Sequence, residues 1–127
     1  MIHCRLRTAG ALVVAAVLTQ AGCQRTPRPA APDEARSALR QALDAWQQGE
    51  APDAFGKRSS LTVVEPKWRN RWRLVGYELA GDGRPSGFDW QCPVKLSLRD
   101  ARGKAAQERA VYTISTAPVR VIIRAES

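Results

Sequence analysis

The first clear hydrophobic pattern in the chain predicts an amphipathic helix over residues 33–48. Its apolar positions recur at steps of three and four, which places them on one stripe of a helix. They are Ala35, Ala38, Leu39, Ala42, Leu43 and Trp46. Asp33 is expected to cap the start of this helix and Gly49 to close its end. Because the stripe is rich in alanine, we expect the helix to pack closely on the layer beneath it.

From Trp72 onward the pattern changes to a period of two, which is typical of strands with one buried face. The clearest strand covers residues 88–98, with Pro93 expected at a bulge or an edge. Its apolar positions are Phe88, Trp90, Cys92, Val94, Leu96 and Leu98. Further strands are predicted at residues 61–64, 71–79, 107–115 and 119–124, and a hairpin loop at residues 81–87.

These elements predict one α+β domain over residues 33–127, in which an N-terminal helix packs on an antiparallel meander of four or five strands. A small β-barrel with an added helix is the alternative. The order of elements resembles the cystatin-like and nuclear-transport-factor-like folds, in which a bent sheet wraps a helix, although no family motif supports the resemblance. The second of these folds implies a small-ligand or enzymatic pocket between helix and sheet, which Trp90, Glu108 and Tyr112 would line.

Residues 1–22 have the order of an export signal: a basic start, an apolar run and then small residues. The run from Thr8 to Leu18 is shorter than the roughly 20 residues that cross a bilayer. Ala21 and Gly22 then precede Cys23. This resembles the signal of lipid-modified bacterial envelope proteins, although Gln20 stands where that family prefers leucine. The resemblance implies that Cys23 carries the lipid after cleavage of the signal.

Residues 23–32 follow as a lipidated cysteine and a proline-rich tether, which predicts an extended link to the membrane. The expected location is the bacterial cell envelope. Gln24 favours the outer membrane over the inner one, since aspartate at this position favours retention in the inner membrane of enteric-type lipoproteins. Cleavage by an ordinary signal peptidase is the alternative, and it would give a soluble secreted or periplasmic protein.

The charge and the residue types limit the chemistry that the chain can perform. The chain carries 20 basic and 12 acidic side chains, a net charge of +8. A basic exported protein suits an anionic membrane, another envelope protein or an anionic polymer, and export makes nucleic acid a less favoured partner. No histidine follows His3, and Cys92 is alone after Cys23. We therefore expect no metal, no cofactor and no cysteine–histidine nucleophile, which favours a non-enzymatic protein.

The densest cluster of candidate contact residues interleaves cations with indoles between positions 67 and 73. Its members are Lys67, Trp68, Arg69, Arg71, Trp72 and Arg73. The simplest interpretation is the entry of a strand with its arginines outside and its tryptophans inside. The same mixture also suits contact with a membrane interface, where tryptophan lies at the headgroups, or with an anionic polymer. On this basis we predict an interaction module that uses the segment for partner contact.

Overall fold

The structure, a computed structural model, describes residues 28–125. The predicted signal over residues 1–22, Cys23 and the first part of the tether lie outside the described residues. Within residues 28–125, no helix combines the length and the apolar character needed to cross a membrane. The fold is α+β. Its elements are α1 (Pro32–Gln47), α2 (Pro52–Ser59), β1 (Thr62–Val64), α3 (Pro66–Arg69), β2 (Arg73–Leu79), β3 (Arg84–Ser86), β4 (Asp89–Arg99), β5 (Ala105–Ser115) and β6 (Val121–Ala125).

Helix α1 confirms the apolar stripe but not the predicted cap. The helix begins at Pro32 with Ala31 as its N-cap, and Asp33 lies inside the first turn. Proline suits this first position because it has no N–H to leave unpaired and its φ angle is already helical. The end is as expected, since Gly49 takes a positive φ of 85° and its N–H donates to the Trp46 carbonyl over 3.0 Å. All six stripe residues are buried.

The strands form one curled, mixed sheet in the order β1-β6-β5-β4-β2, and β3 pairs with the start of β4. Antiparallel pairs join β2 to β4, β4 to β5 and β5 to β6, but β1 runs parallel to β6. The prediction of a purely antiparallel meander is therefore wrong at β1, and the single predicted helix is joined by α2 and α3. Strands β1 and β2 lie at the two ends of this order and do not pair with each other, so the sheet is open rather than a closed barrel.

The core lies between α1 and the concave face of the sheet. Cys92, Val94, Leu96 and Leu98 point into it from β4, as the alternation predicts. Phe88 does not, because it belongs to the turn before β4 and is 59% exposed. The backbone carbonyl of Pro93 accepts from Ala80 at the place where the β2 ladder ends and before β3 begins. Its missing N–H therefore falls at a break in the ladder, as expected for proline in a strand.

Candidate binding cleft

Three tryptophans join the end of α1 to the segment between α3 and β2. The rings of Trp46 and Trp68 stack with centroids 5.8 Å apart and planes 16° apart. The Trp46 indole N–H donates to the carbonyl of Trp72 over 2.7 Å, and the Trp68 indole N–H donates to the carbonyl of Glu50 over 2.8 Å. Buried indoles need such partners. These two bonds fix the α1–α2 turn and the start of β2 relative to each other.

A cleft of about 570 Å³ opens between these two segments. We term it the Arg–Trp cleft. Its volume falls in the range of roughly 300–1,000 Å³ that is common for ligand sites. The cleft is lined by Trp46, Gln47, Gln48, Gly49, Glu50, Ala51, Pro52, Asp53, Trp68, Arg69, Arg71, Trp72, Arg73 and Leu74.

Arginines form one wall of the Arg–Trp cleft. Arg69, Arg71 and Arg73 are all exposed, and Arg69 has only a distant ion pair with Asp53, at 3.9 Å. Within residues 28–125, Arg71 and Arg73 take part in no ion pair. Because a guanidinium stays charged at physiological pH, this wall offers several unneutralised fork-shaped donors to an anion.

The acidic residues of the opposite wall neutralise these arginines only in part. Both oxygens of Glu50 accept from Arg58 at 2.6 Å, and this pair holds the pKa of Glu50 below its usual range. Asp53 is exposed and meets only Arg69. The cleft therefore has an excess of positive charge on one side, above tryptophan rings that are largely buried. This arrangement favours anionic groups.

Arg71 adopts a backbone conformation that usually belongs to glycine. Its φ is 66°, in the left-handed region. The N–H of Arg71 donates to the carbonyl of Trp68 and the N–H of Trp72 donates to the carbonyl of Lys67, at 3.1 and 2.9 Å. This is a Schellman motif that ends α3, and its left-handed position is most often glycine. Arginine there costs about 1–2 kcal/mol relative to a residue without a Cβ.

A buried carboxylate holds α3 against the sheet beneath the cleft. Glu65 is 3% exposed and caps α3 by accepting from the Lys67 N–H over 2.9 Å. It also accepts from the Tyr112 hydroxyl over 2.5 Å and from Arg124 over 3.1 Å. Arg124 in turn pairs with Glu108. A buried carboxylate is tolerated only when several hydrogen-bond donors surround it. This network therefore holds the segment between β1 and α3 in place.

The cleft therefore brings together five of the six predicted contact residues. Lys67 is the exception: its ammonium pairs with Glu108 and lies 4.5 Å from the centre of the Trp72 ring. Burial, followed by the neighbouring charge of Arg124, lowers the pKa of this amine. The segment is also not a strand entry, because Glu65 and Pro66 start a helical turn and β2 begins only at Arg73.

The residues predicted to line a helix–sheet pocket lie on one face of the sheet but at different places. Tyr112 is buried against Glu65, and Glu108 bridges Lys67 and Arg124. Trp90 is half-buried and donates its indole N–H to the carbonyl of Asp82 over 3.0 Å. The gap between α1 and the sheet beside Tyr112 measures only about 10 Å³. That volume is less than a small ligand requires.

Cys92 is a core residue in the described part of the chain. The Cys92 side chain is completely buried, and burial raises the pKa of its thiol. A nucleophilic thiol needs the opposite shift. No group of three or more potential metal ligands occurs within residues 28–125.

The sequence did not point to the wall that α1 and α2 contribute to the cleft. Gln47, Gln48, Glu50 and Asp53 have no distinctive pattern along the chain. The usable signals were Pro52 and Pro66, because proline is favoured at the first position of a helix. They would have predicted α2 and α3, and with them the turn that faces the arginines.

No protein-family model, curated protein or solved structure matches this chain. The chemistry of the Arg–Trp cleft is therefore the basis for assigning a function.

Proposed function

We propose that this protein is a non-enzymatic interaction module of the bacterial cell envelope, anchored through Cys23, whose Arg–Trp cleft binds an anionic group on another envelope component. An acidic protein surface and an anionic polymer both present such groups. The proposal rests on Arg69, Arg71 and Arg73, which share one wall of the cleft. In the described part of the chain, only Arg69 among them has an ion pair, with Asp53 at 3.9 Å.

The backbone of Arg71 is the observation that carries this proposal. A left-handed residue in a Schellman motif is favourable as glycine and costs stability as arginine. Side chains that are retained at such a cost cluster at functional positions. Arg71 has this strained backbone, and its side chain lines the same cleft as Trp46 and Trp72. Binding of an anion explains why arginine stands at this position.

The position of the N-terminal segment supports an anchored module that reaches outward. The Ala30 N–H donates to the carbonyl of Phe88 over 2.8 Å, so the chain enters the domain beside the turn before β4. Helix α1 starts there and runs 16 residues to the cleft. A helix of that length spans about 24 Å. The cleft therefore lies at the far end of α1 from the point where a tether would attach.

Anion binding is tested with tripolyphosphate as the probe and tryptophan fluorescence as the signal, since Trp46, Trp68 and Trp72 line the cleft. We expect saturable changes that weaken as salt rises, because exposed charges are screened. Changing Arg69, Arg71 and Arg73 together to Ser should abolish them. The control changes Arg84, Lys95 and Arg109 to Ser and removes equal charge elsewhere. If the cleft variant binds as the wild type does, the proposed function is wrong.

The anchor is tested separately in a bacterial host. We expect the wild type to take up a fatty-acid label and to fractionate with membranes, since two or more acyl chains bind a membrane stably. Cys23→Ser should lose both properties. A Cys23→Ser variant that keeps the label would refute the anchor and leave the cleft chemistry untouched.

A further inference from the structure

The positive surface continues beyond the Arg–Trp cleft. Arg73 lies on the cleft wall and pairs across the sheet with Arg99 at the end of β4. Neighbouring strands are about 4.8 Å apart, so these two arginines lie side by side. The turn between β4 and β5 follows at once, and it exposes Arg102 and Lys104. We term the exposed residues Arg69, Arg71, Arg73, Arg99, Arg102 and Lys104 the basic stripe.

The stripe places two like charges at directly opposite positions of neighbouring strands, which costs stability. Arg73 and Arg99 are directly opposite, and the other cross-strand neighbour of Arg99 is Ala105. Like charges in this relation destabilise a sheet. Lys95 shows the contrast, because Glu78 stands opposite it on β2 and offsets its other neighbour, Arg109. The arrangement at Arg73 and Arg99 becomes favourable once an anion lies across both strands.

The carboxylate of Asp100 stabilises the turn between β4 and β5. Asp100 accepts from the backbone N–H groups of Arg102 and Lys104, both over 2.9 Å. Arg99 donates to the carbonyl of Gly103 over 3.0 Å. Among residues 28–125, none of these three basic side chains forms an ion pair. The turn is thus ordered so that its charges face outward.

The other end of the molecule lacks this excess of positive charge. Around the entry of the N-terminal segment, Asp33, Glu34 and Asp82 accompany Arg28, Arg36 and Arg84. Arg36 is held by Asp33 and by the carbonyl of Asp82. Among residues 28–125 the charge is therefore balanced at this end, and the basic end lies away from the predicted attachment to the membrane.

We infer that the partner is a linear polyanion with repeated phosphate-like groups, held along the basic stripe with one end in the Arg–Trp cleft. This inference rests on the proposed function and specifies its ligand. A single anion would use the cleft alone, whereas a chain of anions also neutralises Arg99, Arg102 and Lys104. Because the basic stripe lies at the end away from the predicted attachment, it favours such a polymer over the lipid surface at that attachment.

The test compares tripolyphosphate with long-chain polyphosphate on the full chain in a nonionic detergent. We expect Arg99, Arg102 and Lys104 changed together to Ser to weaken binding of the long chain by about tenfold or more and to leave tripolyphosphate binding unchanged. The variant of Arg69, Arg71 and Arg73 should lose both ligands. The control variant of Arg84, Lys95 and Arg109 should lose neither.

The outcomes separate the two proposals. If the turn variant binds long polyphosphate as tightly as the wild type, the inference is overturned and the proposed function stands. If the cleft variant still binds tripolyphosphate, the proposed function itself fails. Tighter binding to anionic phospholipid vesicles than to long polyphosphate, at equal phosphate concentration, would overturn the assignment to a linear polymer.

Unfolding midpoints verify that each variant is folded, and we expect Arg99→Ser alone to leave the midpoint unchanged or higher.

Discussion

At the scale of single residues, Arg71 lowers the stability of the fold while its charge contributes to the proposed binding site. Its left-handed backbone is better suited to glycine, whereas its charge belongs to the wall of the cleft. Arg69, two residues earlier, has the same charge and faces the same cleft but lies within α3. The pair therefore gives opposite expectations for the same substitution.

Arg71→Gly should raise the free energy of unfolding by about 0.5–1 kcal/mol, because relief of the strained φ exceeds the added freedom of the unfolded chain. Arg69→Gly should lower it by a similar amount, since glycine disfavours a helix. Chemical denaturation measures both changes. Each variant should also bind tripolyphosphate more weakly than the wild type. A destabilised Arg71→Gly variant would contradict the strain that the φ angle indicates.

At the scale of elements, the buried carboxylate of Glu65 joins β1, α3, β5 and β6. Tyr112 donates its hydroxyl to this carboxylate. Burial raises the pKa of the Tyr112 phenol far above its ordinary value, and the charge of Glu65 adds to the effect. A phenolate at this site would be both desolvated and next to a carboxylate. The folded protein thus keeps a proton that the unfolded chain loses at high pH.

The free energy of unfolding should therefore be maintained below about pH 10, the pKa of tyrosine in an unfolded chain, and should fall as the pH rises above it. Tyr112→Phe should lower stability near neutrality by about 1.5–3 kcal/mol, through loss of a hydrogen bond to a charged group, and should flatten the alkaline decline. Urea denaturation between neutral and strongly alkaline pH measures both effects. An equally steep alkaline decline in the variant would contradict this account of the site.

Tyr77→Phe is the matched control for this titration. Burial and a hydrogen bond to Asp44 raise the pKa of Tyr77 to about 12. Because the pKa of Tyr77 is raised less than that of Tyr112, Tyr77→Phe should change the loss of stability at alkaline pH less than Tyr112→Phe does.

The hydrophobic pattern predicted elements and faces but could not predict which strands pair. Leu43, Trp46 and the alternating residues of β4 are buried as expected, because their periods match a helix and a strand. The parallel pairing of Thr62 with Val121 joins distant segments, and nothing in a period of two specifies such a partner. Phe88 is exposed because the alternation continues one residue beyond the strand.

The candidate site was predictable in composition but not in shape. The mixture of arginine and tryptophan between positions 68 and 73 identified one wall of the cleft from sequence. Lys67 was assigned to the same surface, yet a single helical turn directs it to Glu108 instead. The facing residues Gln48 and Pro52 come from a different part of the chain. Their proximity depends on the stacking of Trp46 with Trp68, which is a tertiary contact.

At the scale of the whole molecule, the distribution of charge matters more than its sum. The chain has an excess of basic side chains, and the fold brings Arg69, Arg71 and Arg73 together at the end of α1 where Gly49 lies. The N-terminal segment enters at the other end, beside Phe88. With the anchor that we propose, the basic end would face components at a distance from the attachment.

The most direct test of this account is crosslinking and pull-down of the full-length protein from membranes of a bacterial host. The wild type is compared with the variant in which Arg69, Arg71 and Arg73 are all Ser, and with the control variant of Arg84, Lys95 and Arg109. The account predicts that the partner is recovered with the wild type and the control and is lost with the cleft variant. Unchanged recovery with the cleft variant would contradict the claim that the Arg–Trp cleft is the contact site.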